Sequence, residues 1–130
     1  MAKQVKQVVL VADDDKVFVQ AISEVLRARG CDVVVAFDAM QALMLAVRTP
    51  HLAAAIVDIN MPGGTGRGLI EKLRASGKTS QVPIIAVSGL KDPKLADDLK
   101  RLGAATFLPK PVQPAVLNTV LDELLEPPPA

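Results

Sequence analysis

Val8-Val9-Leu10-Val11-Ala12 is an unbroken apolar run, and Asp13-Asp14-Asp15 follows it without a spacer. A strand with one wet face alternates polar and apolar residues. Five apolar residues in succession instead predict a strand covered on both sides, as in a parallel sheet between two helix layers. The pattern of an apolar run ending in a charged or reactive side chain recurs three times: Ala54-Ala55-Ile56-Val57 before Asp58, Ile84-Ile85-Ala86-Val87 before Ser88, and Thr106-Phe107-Leu108-Pro109 before Lys110. If these runs are parallel strands of one sheet, their carboxyl ends share an edge, which is where open α/β sheets bind ligands.

The segments between the runs read as helices. From Lys16 to Arg29, the residues Val17, Phe18, Ala21, Ile22, Val25 and Leu26 recur at spacings of three and four, and Gly30 supplies a stop. Residues 32–36 read as a second strand. Asp38 then caps a helix carrying Met40, Leu43, Met44 and Val47, which Thr49-Pro50 ends. After a third strand at residues 53–57, Pro62 and the neighbouring glycines exclude regular structure until a helix starts near Leu69 and runs to Ala75. A strand at 82–87, a helix opened by Asp92 or Pro93 and closed by Gly103, a strand at 105–108 and a helix through Leu117, Leu121 and Leu125 complete the alternation. Five strands and five helices predict an α/β fold with a doubly wound five-stranded parallel sheet, flavodoxin-like (βα)5, strand order 2-1-3-4-5. One domain is expected over residues 1–125, with 126–130, Glu-Pro-Pro-Pro-Ala, as a proline-rich tail or linker stump.

Composition narrows the function classes. The 130 residues are 50% hydrophobic and 22% charged, which suits a filled core. With 15 basic and 14 acidic residues, the net charge of +1 gives no electrostatic reason to expect direct nucleic-acid or membrane binding. The lone Cys31 has no internal disulfide partner and reads as a small, partly buried thiol. No apolar stretch has the length of a signal peptide or a spanning helix, so a cytoplasmic protein is expected. His51, the only histidine, sits beside Pro50 and reads as a surface residue rather than a phosphate relay.

The clustered groups point to phosphoryl chemistry. Two carboxylates about 5 Å apart repel by roughly 3 kcal/mol at an effective dielectric near 20, so the acids after the first strand and Asp58 call for a positive charge. Mg²⁺ answers that need, since it takes one or two carboxylates, a carbonyl and waters and leaves a position for a phosphate oxygen. Asp58 is the candidate nucleophile, Lys110 would neutralise phosphoryl oxygens alongside the metal, and Ser88 would add a hydroxyl donor. Each group also has an ordinary reading: acids cap helices, Ser88 turns the chain with Gly89, and Lys110 is solvated. The case rests on their coincidence.

Over residues 8–125 the chain resembles a response-regulator receiver domain, the phosphoacceptor half of two-component signalling. The resemblance implies that Asp13 and Asp14 are the metal-binding acidic pair, that Asp58 is phosphoacceptor and metal ligand, and that Asn60 ligates through its backbone carbonyl. It further implies that Ser88 and Lys110 are the catalytic hydroxyl and lysine, and that Ser88 with Phe107 forms the switch. Met61-Pro62 and Gly66 match the loop after the acceptor. Three positions depart from the family pattern: Thr65 replaces a common Asp but can still cap the following helix, Ala39 replaces a usual Gly, and Phe107 lacks a hydroxyl, so that its switching rests on packing.

The implied partners are a sensor histidine kinase or histidine phosphotransfer protein and a downstream effector, met through the fourth strand, fourth helix and fifth strand; a phosphorylation-dependent dimer is one form the output could take. The implied catalysis is confined to the domain's own phosphorylation and dephosphorylation. Lys91, Lys94, Lys100 and Arg101 mark the place to look for the effector. Leu90 cannot hold a water by hydrogen bonding, so a moderately long-lived phosphoform is expected. The alternative is a receiver-like interaction module independent of phosphorylation. A flavodoxin-like cofactor protein is disfavoured because three aspartates would repel a bare phosphate. An aspartyl-nucleophile hydrolase would want a second acid where Asn60 stands.

Overall fold

The computed structural model describes residues 6–61, 65–90 and 92–125. The elements alternate as β1 (Val8–Ala12), α1 (Lys16–Ala28), β2 (Asp32–Ala36), α2 (Ala39–Arg48), β3 (Leu52–Asp58), α3 (Gly66–Ala75), β4 (Ile84–Ser88), α4 (Leu95–Leu102), β5 (Thr106–Pro109) and α5 (Pro114–Leu124). The five strands form one parallel sheet in the order β2-β1-β3-β4-β5, the expected doubly wound topology. Lys91, residues 62–64 and the expected tail at 126–130 lie outside the described residues.

The continuous apolar runs exist because both faces of the sheet are covered. Alternate residues feed two cores: Leu10, Ala12, Ala55, Val57, Ile84 and Ala86 pack with α2, α3 and α4. Val9, Val11, Ala54, Ile56, Ile85 and Val87 pack on the opposite face with α1 and α5. Side chains at period two thus satisfy two layers at once, and in the central strands β1, β3 and β4 the polar positions are confined to the C-terminal ends, at Asp58 and Ser88. The helices bury matching stripes, Val19, Ile22 and Leu26 on α1 and Leu69, Ile70 and Leu73 on α3.

Several boundaries differ from expectation for identifiable reasons. Helix α3 starts at Gly66, ahead of the expected Leu69, because the Thr65 side chain accepts from the Gly68 N–H at 2.9 Å and nucleates the first turn despite two glycines. Strand β4 starts at Ile84 rather than residue 82. The Arg74 guanidinium donates to the carbonyls of Thr79, Ser80 and Val82 and holds that stretch as a turn. The same guanidinium donates twice to the Gly103 carbonyl, at 2.9 and 2.7 Å, pinning the C-terminal end of α4 where Gly103 turns left-handed at φ 118°. Strands β3 and β5 each reach one residue further along the sheet edge, to Asp58 and Pro109. These extensions bring the backbone of Asp58 and Lys110 into the ladder, since Ile59 N–H donates to the Val87 carbonyl and Lys110 N–H to the Ser88 carbonyl at 2.8 Å.

Candidate functional site

The C-terminal ends of β1, β3, β4 and β5 deliver Asp13, Asp58, Ser88 and Lys110 to one edge of the sheet. Register makes this a consequence of strand pairing: Ala12 lies opposite Val57, so the next residues, Asp13 and Asp58, leave neighbouring strands at the same level. Carboxylate oxygens of Asp13, Asp14 and Asp58 all lie within 4.8 Å of one another. Asp13 is fully buried, Asp58 is 6% exposed and Asp14 faces solvent.

Lys110 closes the cluster. Its Nζ is 2.7 Å from Asp13 Oδ2 and 3.7 Å from Asp58 Oδ2. The Asp13 contact is a short, buried ion pair, in which the ammonium is the one partner of Asp13 Oδ2 among the described residues. Burial works against the ammonium charge. The short Asp13 contact and the charges of Asp13, Asp58 and Asp15 outweigh it, so the Lys110 pKa is raised. Burial also pushes the Asp58 carboxyl up to about 6, helped by the Asp13 charge and opposed by the Asn60 N–H and by Lys110. The Asn60 N–H donates to Asp58 Oδ1 at 3.2 Å, which leaves Oδ2 toward Lys110. The Lys110–Pro111 peptide is cis.

Ser88 is completely buried; its Oγ accepts from the Leu90 N–H at 3.0 Å, and its hydroxyl proton is given to no acceptor among the described residues. Phe107, half-buried in β5, packs against the core that contains Leu95 and Leu99 of α4. Gly66 makes the acceptor loop sterically feasible: its N–H donates to the Ile59 carbonyl at 3.0 Å, and a Cβ there would overlap the Asp58 carbonyl oxygen and come within 2.6 Å of Ile59 Cα. Leu90, Lys94, Lys100 and Arg101 are exposed, as is His51.

Two residues named in the sequence only as a strand-end acid and as a helix apolar position contribute to the site. Asp15 is the N-cap of α1, accepting from the Val17 and Phe18 N–H groups, and its own N–H donates to Asp13 Oδ1 at 2.9 Å. An Asp directly before an amphipathic run is a recognisable cap signal, which the acid triplet obscured. Phe18 places its ring 4.5 Å from Lys110 Nζ; its helical periodicity marks it only as apolar.

The donor set suits Mg²⁺. Three carboxylates face one ammonium, and hard oxygen ligands at this separation can close on a small dication with modest side-chain adjustment. A concavity of about 510 Å³, lined by residues including Lys6, His51, Pro83 and Leu125, opens at the other end of the sheet, and among the described residues no group of acids converges there.

A profile of the response regulator receiver domain matches residues 9–122. The two-component response regulator ORR7 of Oryza sativa subsp. japonica is 29% identical over 118 residues, 91% of this chain; the chain spans 56% of that protein's length. The chemotaxis response regulator CheY4 of Vibrio cholerae superposes with a TM-score of 0.86 at 29% identity, covering 93% of this chain and 100% of that one. The receiver domain of the sensor histidine kinase PA1611 from Pseudomonas aeruginosa, which has a magnesium ion coordinated in its active site cleft, superposes with a TM-score of 0.83 at 27% identity, covering 92% and 98% of the two chains. Sheet order, the acid pocket at the strand ends and the length of the profile match agree: the chain belongs to the response regulator receiver domain family.

Proposed function

We propose that the chain accepts a phosphoryl group on Asp58 from a phosphohistidine of a sensor histidine kinase or histidine phosphotransfer protein, in a Mg²⁺-dependent reaction. The observation that carries this reading is the meeting of Asp13, Asp14, Asp58 and Lys110 at one sheet edge. An Asp58 carboxylate oxygen attacks phosphorus, the P–N bond breaks, and its electron pair leaves with the imidazole, which takes up a proton. An acyl phosphate on Asp58 results. Bound Mg²⁺, held by Asp13, Asp14, Asp58 and the Asn60 carbonyl, would supply charge neutralisation for the phosphoryl oxygens. Lys110 supplies a further positive charge and Ser88 a hydroxyl donor, both fixed by the ladder that joins their strands.

The phosphoryl dianion then draws Ser88 inward, and Phe107 follows into the vacated space. This shifts the face made by β4, α4 and β5 toward an effector-binding population. The asymmetry of α4 supports this route. Its C-terminal end is pinned by the Arg74 side chain from α3, whereas its N-terminal end is held only locally, by Asp92, whose carboxylate accepts from the Lys94 N–H at 2.9 Å and whose carbonyl accepts from the Leu95 N–H. Residues 1–125 act as one receiver domain ahead of the tail or linker stump, and the partners are proteins, with a phosphorylation-dependent dimer among the forms of output. The place of action proposed with these partners is the cytoplasm; no helix among the described residues is long and apolar enough to cross a membrane.

Intact-mass measurement after exposure to phosphoramidate tests the reading. One added phosphoryl group is expected with Mg²⁺ and none in Asp58→Asn. An unchanged mass in the wild type, or an equal gain in the variant, refutes it. Effector binding that is the same in wild type and Asp58→Ala would favour a phosphorylation-independent module.

A further inference from the structure

We propose that Phe18 is a positioning residue for Lys110, its ring forming the wall that holds the ammonium against the acid pocket. The inference rests on the phosphoacceptor reading above. A lysine side chain has four flexible carbons, and Lys110 is only 22% exposed. Carboxylates on one side explain the attraction but not why the charge stays at the pocket mouth. The Phe18 ring, its centroid 4.5 Å from Nζ and carried on the first turn of α1, supplies the other wall.

The arrangement closes on itself. Asp13 pairs with Lys110 and accepts from the Asp15 N–H; Asp15 caps α1 and accepts from the Phe18 N–H at 3.2 Å; Phe18 lies against Lys110. Phe18 also packs against the core shared by α1 and α5. An aromatic face attracts a cation through its quadrupole while carrying no net charge. A further carboxylate at this position would also hold the lysine, but it would repel the incoming phosphoryl group. A ring holds it without that penalty and leaves all three N–H donors to the oxygens.

The test compares Phe18→Leu, which keeps an apolar wall, with Phe18→Tyr, which keeps the ring. Two readouts are needed: NMR shifts of the Lys110 ε-methylene, and the phosphorylation rate with saturating phosphoramidate and Mg²⁺. The wild-type methylene should be shifted upfield by the ring, and the shift should vanish in the Leu variant and persist in the Tyr variant. The rate constant should fall about five-fold in the Leu variant, as expected for losing one partly desolvated cation–π contact, and recover in the Tyr variant. No upfield shift in the wild type, an unchanged rate in the Leu variant, or a Tyr variant as slow as Leu while equally stable would each overturn the inference. A wild type that takes no phosphoryl group would bring down the phosphoacceptor reading as well; a phosphorylated wild type with an indifferent Leu variant removes this inference alone.

Discussion

Replacing Asp58 by Asn should stabilise the metal-free protein at neutral pH. The Asp58 carboxyl is pushed up to about 6 from an ordinary 3.8, first by burial and then by the Asp13 charge. At about 1.4 kcal/mol per unit, ionising Asp58 in the folded state costs about 3 kcal/mol relative to the unfolded chain. A raised acid pKa means that the folded form holds the proton more tightly. The stability this confers is complete below pH 3.8 and is lost as pH rises through about 6. Asparagine keeps the shape and an oxygen for the Asn60 N–H but carries no charge, so at pH 7.5 it should avoid that cost. For a chain of this size, about 3 kcal/mol corresponds to roughly 10 °C in melting temperature.

The chain has no Trp or Tyr, so far-UV circular dichroism with urea is the suitable probe. At pH 4 the two proteins should be nearly equal, because the wild-type carboxyl is then largely protonated. Mg²⁺ should narrow the gap at pH 7.5 by stabilising the wild type selectively, since a ligand that binds only the folded form adds stability by mass action. A gap that is the same at pH 4 and 7.5, a variant no more stable than wild type at pH 7.5, or a gap indifferent to Mg²⁺ would refute the electrostatic account of the pocket.

Three further substitutions probe the frame around the acids. Gly66→Ala must move the backbone at Asp58 or Ile59, and urea unfolding should register a loss of about 2 kcal/mol together with slower phosphorylation. Arg74→Met strips donors from the carbonyls of Thr79, Ser80, Val82 and Gly103; a loss of about 3 kcal/mol is expected, and one below about 0.5 kcal/mol would show that water replaces the clamp. Leu90→Glu places a water-binding group on an exposed position two residues beyond Ser88. Phosphate release from the phosphoform, followed by intact mass, should accelerate several-fold, and an unchanged lifetime would remove the role given to Leu90.

The sheet was legible in the residues alone, because burial on both faces writes itself as apolar runs such as 8–12 and 84–87, and helix periodicity separates them. The acids, Ser88 and Lys110 were legible as strand-end groups for the same reason: strand direction puts every run's last residue on one edge. Boundaries were less so. The start of α3 turns on a single Thr65 cap, and the late start of β4 on an arginine ten residues earlier in the chain reaching back over the turn. Thr65 is legible as a cap from its residue type, but local pattern carries no record of the arginine contacts, since Arg74 on a helix reads as any solvated cation.

The same limit separates Phe18 from Lys110. They are distant in sequence, and periodicity marks Phe18 only as apolar and Lys110 only as charged. The 4.5 Å approach arises when α1, anchored by its Asp15 cap, packs on the sheet face that it shares with α5, while Lys110 reaches in from the end of β5. Chain pattern sets which groups reach the sheet edge, because strand period and direction are local. The angles and separations within the pocket, and with them the raised Asp58 carboxyl, come from packing between elements, where dielectric and distance are decided jointly by residues remote in sequence.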